Sequence, residues 1–161
     1  MITITQYDEV YKKKVFDFIY RTMSEELIVD KETFNKITED LRNIEKEYIS
    51  KNGEVWIAIN EELDEIIGTI AIREIKEDIA ELKRFYVKKE YRSKKIGYKL
   101  YSTLTQHAID KGFSIMYLVS GKELKKAHRF YEKNDWKIVD AINENIDIYV
   151  RDNAHLYKKV I

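Results

Sequence analysis

The sequence predicts a mixed α/β (α+β) fold, in which a mostly antiparallel central sheet carries helices on both faces. Two observations predict it: apolar residues at helical spacing give way to strand-like segments, and a strand–helix–strand–helix–strand run follows. The 161 residues match the size of an ordinary domain, so we expect one domain over residues 1–161. With 44% hydrophobic and 36% charged residues, the composition is that of a globular protein.

The composition also excludes several classes of protein. The longest apolar runs, residues 55–59 and 115–119, fall far short of the roughly 20 residues that a membrane helix needs, so no membrane partner is expected. Residues 1–8 lack the blocks of a secretory signal, which makes the cytoplasm the expected location. The absence of cysteine excludes disulfides and thiol catalysis, and the three histidines are poorly spaced for a metal site.

The net charge of zero conceals an uneven distribution. Residues 1–80 contain 19 acidic and 11 basic residues, whereas residues 81–161 contain 10 acidic and 18 basic ones. A basic C-terminal half suggests that this part of the chain handles an anion. The distribution alone does not distinguish a phosphorylated cofactor from nucleic acid or a solvated face.

Two helices are predicted in the acidic half of the chain. Apolar residues recur at helical spacing from about residue 8 to 25. A second helix is predicted over residues 33–51, where apolar residues again step by three and four. Thr33 suits its N-cap, and Asn52-Gly53 supplies its stop.

Three strands are predicted to follow. Residues 54–60 and 66–73 form an antiparallel hairpin around a polar turn, and a third strand covers about residues 79–87. The apolar positions of the third strand change parity along the chain, in the order Ala80, Leu82, Phe85 and Val87. A regular strand cannot place all four on one face, so we predict a β-bulge near Lys83-Arg84 that leaves backbone amides unpaired.

The second half of the chain is predicted to alternate between helices and strands. A helix opens at about residues 93–97 and stops at Gly112, and a buried strand covers residues 114–120. A short helix from about residue 124 to 131 follows. The last two strands are predicted at residues 136–142 and 155–161.

A strand, a basic turn and a helix start together predict an anion site around Arg92–Gly97. Free N–H groups and the positive end of the helix dipole favour an anion there, and Arg92, Lys94 and Lys95 add full charges. The segment matches neither the Walker A pattern nor the three-glycine dinucleotide fingerprint. The alternative interpretation, a solvated charged face, is the expected one for Lys88, Lys89 and Lys99.

The same segment resembles the GNAT acyltransferase superfamily. The central family motif is matched, in order and spacing, by Ala80-Glu81-Leu82, Phe85-Tyr86-Val87, Glu90-Tyr91-Arg92 and Ile96-Gly97. A later family signature is matched by Ala127, Phe130-Tyr131-Glu132-Lys133 and Trp136. The two motifs and their element order cover most of residues 54–161.

The resemblance implies a fold in which two parallel strands splay apart and admit the pantetheine arm of acetyl-CoA. It implies an N-acetyltransferase that moves an acetyl group from acetyl-CoA, as co-substrate, directly to a primary amine of a small molecule or peptide, without a metal. By resemblance, the cofactor-binding residues are Phe85, Tyr86, Val87, Arg92, Ser93, Lys94, Lys95, Ile96, Gly97 and Tyr98.

Two catalytic residues are expected from the resemblance. Tyr131 suits an acid that protonates the departing thiolate, and the alternative is a core aromatic beside Phe130. Glu81 suits a base that accepts a proton from the amine, directly or through water, and the alternative is a structural ion pair with Lys83 or Arg84.

The sequence departs from the family pattern at three positions, namely Lys95, Leu124 and Asp135. These departures leave open an alternative function, a CoA-binding module without transfer activity. A basic module that binds nucleic acid is the least favoured of the alternative functions. A homodimer is also left open. Residues 24–32 and 143–153 are candidate walls of the acceptor pocket. Their acidic residues would suit a cationic amine, namely Glu25, Glu26, Asp30, Asp147 and Asp152.

Overall fold

The computed structural model describes residues 1–161 and contains a seven-stranded mixed sheet with five α-helices. The strands are β1 Ile2–Gln6, β2 Glu54–Asn60, β3 Glu65–Lys76, β4 Ile79–Val87, β5 Ile115–Gly121, β6 Lys137–Val139 and β7 Ala154–Val160. The helices are α1 Lys12–Glu26, α2 Lys31–Ile37, α3 Ile44–Glu47, α4 Ile96–Asp110 and α5 Lys125–Lys133.

The strand order is β1-β2-β3-β4-β5-β7-β6, and every neighbouring pair is antiparallel except β4 and β5. Apolar side chains cover both faces of the sheet. Each apolar face has to be buried, so helices pack on both sides. One cluster packs α4 and α5 against the sheet, and a second packs α1, α2 and α3 against the opposite face. The predicted mixed fold with two parallel strands is confirmed.

The predicted bulge lies in β4, opposite Ile70 of β3. Lys83 pairs with Ala71 and Tyr86 pairs with Thr69, so two residues of β4 oppose one residue of β3. Arg84 adopts a φ of 55°, in the left-handed region, and the Thr69 hydroxyl donates a 2.7 Å hydrogen bond to its carbonyl oxygen. The bulge brings Phe85 and Val87 to the same face as Ala80 and Leu82, as the change of parity requires.

The predicted helix over residues 33–51 is wrong as a continuous element. The segment contains α2, a 3₁₀ turn at Glu39–Arg42, α3 and a 3₁₀ turn at Ile49–Lys51. Side-chain caps explain the breaks: Asp30, rather than Thr33, caps α2, and Asn43 accepts a 3.0 Å hydrogen bond from the amide of Lys46 to start α3. The stop at Asn52, which has a φ of 53°, is confirmed.

The bounds of one other strand differ from the prediction. The strand predicted at residues 136–142 is limited to Lys137–Val139, because the following residues leave the sheet and pack Ile142, Ile146 and Ile148 against a cluster of β4, β5 and β7 side chains. The predicted opening of a helix at residues 93–97 is confirmed, since α4 begins at Ile96 after a 3₁₀ turn at Lys89–Lys94. None of the helices is both long and apolar enough to cross a membrane.

Candidate active site

A single cleft of about 1590 Å³ passes between β4 and β5. The ladder between these parallel strands contains three residue pairs and ends at Glu81 and Tyr117, so the strands diverge beyond that point. The cleft is lined from the α5 face by Phe130 and Tyr131 and from the opposite face by Met23. It therefore passes through the sheet, and its volume exceeds the roughly 300–1,000 Å³ of most small-molecule sites.

Seven of the twelve residues predicted from the sequence line this cleft, namely Glu81, Phe85, Tyr86, Val87, Arg92, Gly97 and Tyr131. The other five, Ser93, Lys94, Lys95, Ile96 and Tyr98, do not. Ile96 points into the core and Tyr98 into solvent, so only their backbone N–H groups are candidates for contact with an anion.

The start of α4 has the geometry of an anion site. Lys95 precedes the helix with a φ of 59°, so this lysine takes the left-handed conformation that usually favours glycine. Ile96, Gly97 and Tyr98 occupy the first turn, where N–H groups have no intrahelical acceptor. A Cβ atom on Gly97 would lie 3.6 Å from side-chain atoms of Phe85, at the wall of the cleft.

Arg92 is held in place by groups outside its own turn. Its Nε donates a 2.9 Å hydrogen bond to the carbonyl oxygen of Val87, and its guanidinium forms an ion pair with Glu26 at the end of α1. Glu26 is one of the acids predicted to face the acceptor amine. Its carboxylate instead neutralises the arginine that is expected to bind phosphate.

Tyr131 lies among aromatic rings beside the cleft. Its ring centroid is 6.4 Å from that of Phe85, 6.1 Å from that of Trp136 and 5.5 Å from that of Tyr157. Burial raises the pKa of Tyr131 well above the usual value of a tyrosine. The side chain is therefore a protonated phenol at neutral pH, which can donate a hydrogen bond but cannot act as a base.

Glu81 lies across the sheet from Tyr131, on the side of α1 to α3. The side chain is 6% exposed, Oε2 accepts a 3.0 Å hydrogen bond from Arg73 Nε, and Arg73 Nη2 completes the ion pair at 2.9 Å. Arg73 is the register partner of Glu81 on β3, so the partner differs from the Lys83 or Arg84 considered from the sequence. The other carboxylate oxygen of Glu81, Oε1, accepts no hydrogen bond from Arg73. Lys83 Nζ lies 3.9 Å from Oε1.

Arg84 connects the bulge to the helical segment that follows α2. Its Nε donates a 2.9 Å hydrogen bond to Asp40, and its Nη2 donates to Asp40 and to the carbonyl oxygen of Ile37. The Tyr48 hydroxyl also donates a hydrogen bond to Asp40. Arg84, Asp40 and Tyr48 are buried. This cluster fixes the bulge against one wall of the cleft.

Both segments predicted to line an acceptor pocket reach the cleft, one through Glu25–Leu27 and the other through residues 147–149 and Arg151. Glu123, after β5, joins them because it accepts hydrogen bonds from the Ile28 amide at 3.4 Å and from Arg151 Nη2 at 3.0 Å. Of the five acids expected near the amine, Asp30 caps α2, and Asp30 and Asp152 do not line the cleft.

Sequence reasoning missed four polar residues of the site, namely Asp40, Arg73, Lys83 as a lining residue and Arg84 as an anchor. The register of the β3–β4 hairpin would have identified Arg73, because its short turn places Arg73 opposite Glu81. Asp40 and Arg84 are 44 residues apart, and nothing in the local pattern indicates their contact.

A mixed sheet that opens between two parallel strands, with a bulge and a helix start on the rim of the opening, is the architecture implied for acyl-CoA transferases by the motifs. The sequence model of the "Acetyltransferase (GNAT) family" matches residues 17–136. The chain belongs to this family.

Solved structures agree with the family assignment. A GNAT-family acetyltransferase from Staphylococcus aureus Mu50 superposes with a TM-score of 0.84 and 26% identity, over 99% of each chain. The PaiA N-acetyltransferase of Thermoplasma acidophilum, solved in complex with coenzyme A, superposes with a TM-score of 0.74 over 100% of this chain and 99% of that one. At 21% identity, this second likeness concerns the fold alone.

A curated relative has similar sequence over part of its length. The Xenopus tropicalis protein named "Probable N-acetyltransferase camello" is 30% identical over 105 residues, which are 63% of this chain and 47% of the relative. The chain spans less than half the length of the curated relatives it matches.

Proposed function

We propose that this chain transfers an acetyl group from acetyl-CoA directly to a primary amine of a small molecule or peptide. The observation that carries the proposal is the passage through the sheet, with the Tyr131 phenol on one side and the Glu81 carboxylate on the other. Two reactants that approach from opposite faces meet between β4 and β5, where the sheet has no strand pairing.

The residues along the cleft fit coenzyme A in three ways. The edge of β4 that faces β5 is free of strand pairing beyond Glu81, so it suits the amide groups of a pantetheine arm. The first turn of α4 offers N–H groups to a pyrophosphate. Arg92 adds a positive charge once Glu26 gives way to the phosphate.

Starting from the neutral amine, the transfer forms an N–C bond, breaks a C–S bond, and moves one proton from nitrogen and one to sulfur. An acceptor that arrives as an ammonium first releases one further proton to solvent. Acetyl-CoA supplies the activated acyl group. In the proposed mechanism, Glu81 receives the proton through Oε1, directly or through water, and Arg73 fixes its orientation. Tyr131 gives its phenolic proton or a hydrogen bond to the sulfur, and the backbone N–H near Phe85 stabilises the developing oxyanion.

Release of free thiol from acetyl-CoA in the presence of an amine panel tests this proposal. We expect release that requires both the protein and a primary amine, and acetylated product in amounts equal to the thiol. Binding of acetyl-CoA without release for any amine would favour the alternative of a CoA-binding module. Retention on nucleic acid that falls steeply with salt and is not relieved by CoA would favour a nucleic-acid module.

A further inference from the structure

Lys83 is a half-buried cation in the cleft without a close partner. Its side chain is 22% exposed, and it lies on β4 between Leu82, which faces the α4 side, and the anchored Arg84. Glu81 and Lys83 are two residues apart before the bulge, so both point to the α1–α3 side of the sheet. This is the side opposite to Tyr131.

The charges around Lys83 are paired among themselves. Arg73 binds Glu81 at 2.9 Å and Glu47 at 3.3 Å, Arg84 binds Asp40, and Arg151 binds Glu123 at 3.0 Å. The carboxylate oxygen nearest to Lys83 Nζ is Glu81 Oε1, at 3.9 Å, which is beyond hydrogen-bond distance.

A buried ammonium group requires hydrogen-bond acceptors, and without them burial disfavours its charge. Burial lowers the pKa of Lys83, which agrees with a cation that lacks a close carboxylate. The groups that face it from neighbouring elements are Asp40, Arg73, Glu81 and Arg84, and all four are already engaged in the pairs described above.

We propose that Lys83 binds the carboxylate of the acceptor, and that the acceptor is an α-amino acid or a molecule that carries one. Glu81 Oε1 and Lys83 Nζ form a negative and a positive point on one wall, 3.9 Å apart. An α-amino acid presents an ammonium and a carboxylate on the same carbon atom, so the two groups bind Glu81 and Lys83 side by side. This inference rests on the proposed function and names its substrate class.

The cofactor phosphates do not explain Lys83. The anion site at the start of α4 comes after Val87, and Lys83 lies four positions before Val87 on β4, which is roughly 13 Å at 3.3 Å per residue. The polyphosphate and the acceptor carboxylate are therefore separate anions at separate cations.

The test compares L-amino acids with their own carboxamides as acceptors, in the wild type and in Lys83→Met. We expect the wild type to prefer the amino acid in kcat/KM by about tenfold or more, the effect of a hydrogen bond to a charged group. In Lys83→Met this ratio falls towards one, while the value for the carboxamide changes less than about threefold. Lys76→Met, an exposed lysine of β3 outside the cleft, retains the wild-type ratio.

Two results would overturn the inference: a ratio in folded Lys83→Met that equals the wild-type ratio, with or without an equal loss on both acceptors, or a wild type that prefers the carboxamide. An equal loss on both acceptors would indicate that Lys83 acts on the reacting amine. Lys83→Gln replaces Lys83→Met if the latter lowers the Tm.

A binding measurement separates this inference from the proposed function. Isothermal titration of the CoA-loaded protein with the same amino acids and carboxamides requires no turnover. Failure of thiol release with every amine, together with amino-acid binding that depends on Lys83, would refute the transfer and retain the carboxylate site. Binding that is equal in the wild type and Lys83→Met would refute the site.

Discussion

The Tyr131 hydroxyl combines a position on the cleft with an aromatic environment that keeps it protonated. Burial raises its pKa well above the ordinary value of tyrosine. A thiol has a reference pKa near 8.5, so the departing sulfur gains only modestly from protonation at neutral pH. We therefore expect the rate enhancement from Tyr131 to lie towards the low end of the range for general acid catalysis.

Tyr131→Phe should lower kcat by about tenfold or more, because it removes the hydroxyl and retains the ring among its aromatic neighbours. Steady-state kinetics should show little change in the KM for acetyl-CoA, and the Tm should remain that of the wild type. Since a raised pKa keeps the phenol protonated, the ratio of the two kcat values should stay constant from about pH 6 to 9.

Tyr98→Phe provides the matched control, because Tyr98 is 61% exposed on α4 and lies outside the cleft. It should leave kcat unchanged. Equal kcat values for Tyr131→Phe and the wild type would assign Tyr131 to packing and leave water as the proton source.

The location of individual residues at the cleft could be predicted from the sequence only where a motif specified them. Tyr131 and Gly97 belong to matched motifs, and both line the cleft. Lys83 and Arg84 belong to no matched motif. Their surroundings depend on the strand register and on a segment more than 40 residues away. Residue chemistry was visible in the sequence, but long-range contacts were not.

At the scale of elements, the parity of β4 predicted the bulge because strand geometry allows few alternatives. The helical segment before β2 was not resolved into its parts, since spacings of three and four are shared by one long helix and several short ones. The Asp30 and Asn43 caps carried the missing signal, each placed three residues before the amide that it binds.

The cluster that joins this segment to the bulge predicts an acid transition. Burial alone would raise the pKa of Asp40, but the Arg84 guanidinium beside it lowers the value from 3.8 to about 2. Because the folded pKa lies below the unfolded value, the stabilisation is complete above about pH 4 and is lost as the pH falls towards 2. This lowering of the Asp40 pKa corresponds to about 2 kcal/mol in the free energy of unfolding.

Urea unfolding of Asp40→Asn between about pH 6 and 2.5 checks this expectation. The variant should be less stable than the wild type at pH 6 by about 3–5 kcal/mol, because a buried arginine loses its counterion. Its stability should fall less between pH 4 and 2.5 than that of the wild type. Asp17→Asn, on the exposed surface of α1, should follow the wild-type curve, and identical pH slopes for Asp40→Asn would contradict the assignment.

At the scale of the whole molecule, the sequence predicted the order of elements and the opening between β4 and β5 through family motifs. It did not predict that one cleft crosses the sheet, because this depends on how α1, α5 and the segment after β6 enclose the opening. Those walls are formed by side chains without a common motif.

Coenzyme A and acetyl-CoA should raise the Tm far more than ATP or NAD, since the cleft offers a groove as well as one anion site. At about 100 times Kd the gain is about 2.7 kcal/mol, or about 5–10 °C for a chain of this length. Differential scanning fluorimetry measures the shift, and equal shifts with all four ligands would refute the donor assignment.

The same measurement locates the donor site. Gly97→Ala should fold normally, because its new Cβ atom would make contacts no closer than 3.6 Å, but its methyl group narrows the cleft wall and should reduce the shift with CoA. Lys99→Ala, exposed on α4 and outside the cleft, should keep the full shift. A full shift in Gly97→Ala would place the donor elsewhere.

The lining of the cleft from both faces of the sheet also bears on the order of events that we expect in a turnover. If the donor occupies the part of the cleft beside α4, the part beside α1 stays open to the amine, so we expect the two reactants to bind in either order. Coenzyme A left after transfer should then compete with acetyl-CoA but not with the amine. On the same reasoning, we expect the acylated product to leave from the α1 side, by which the amine arrived.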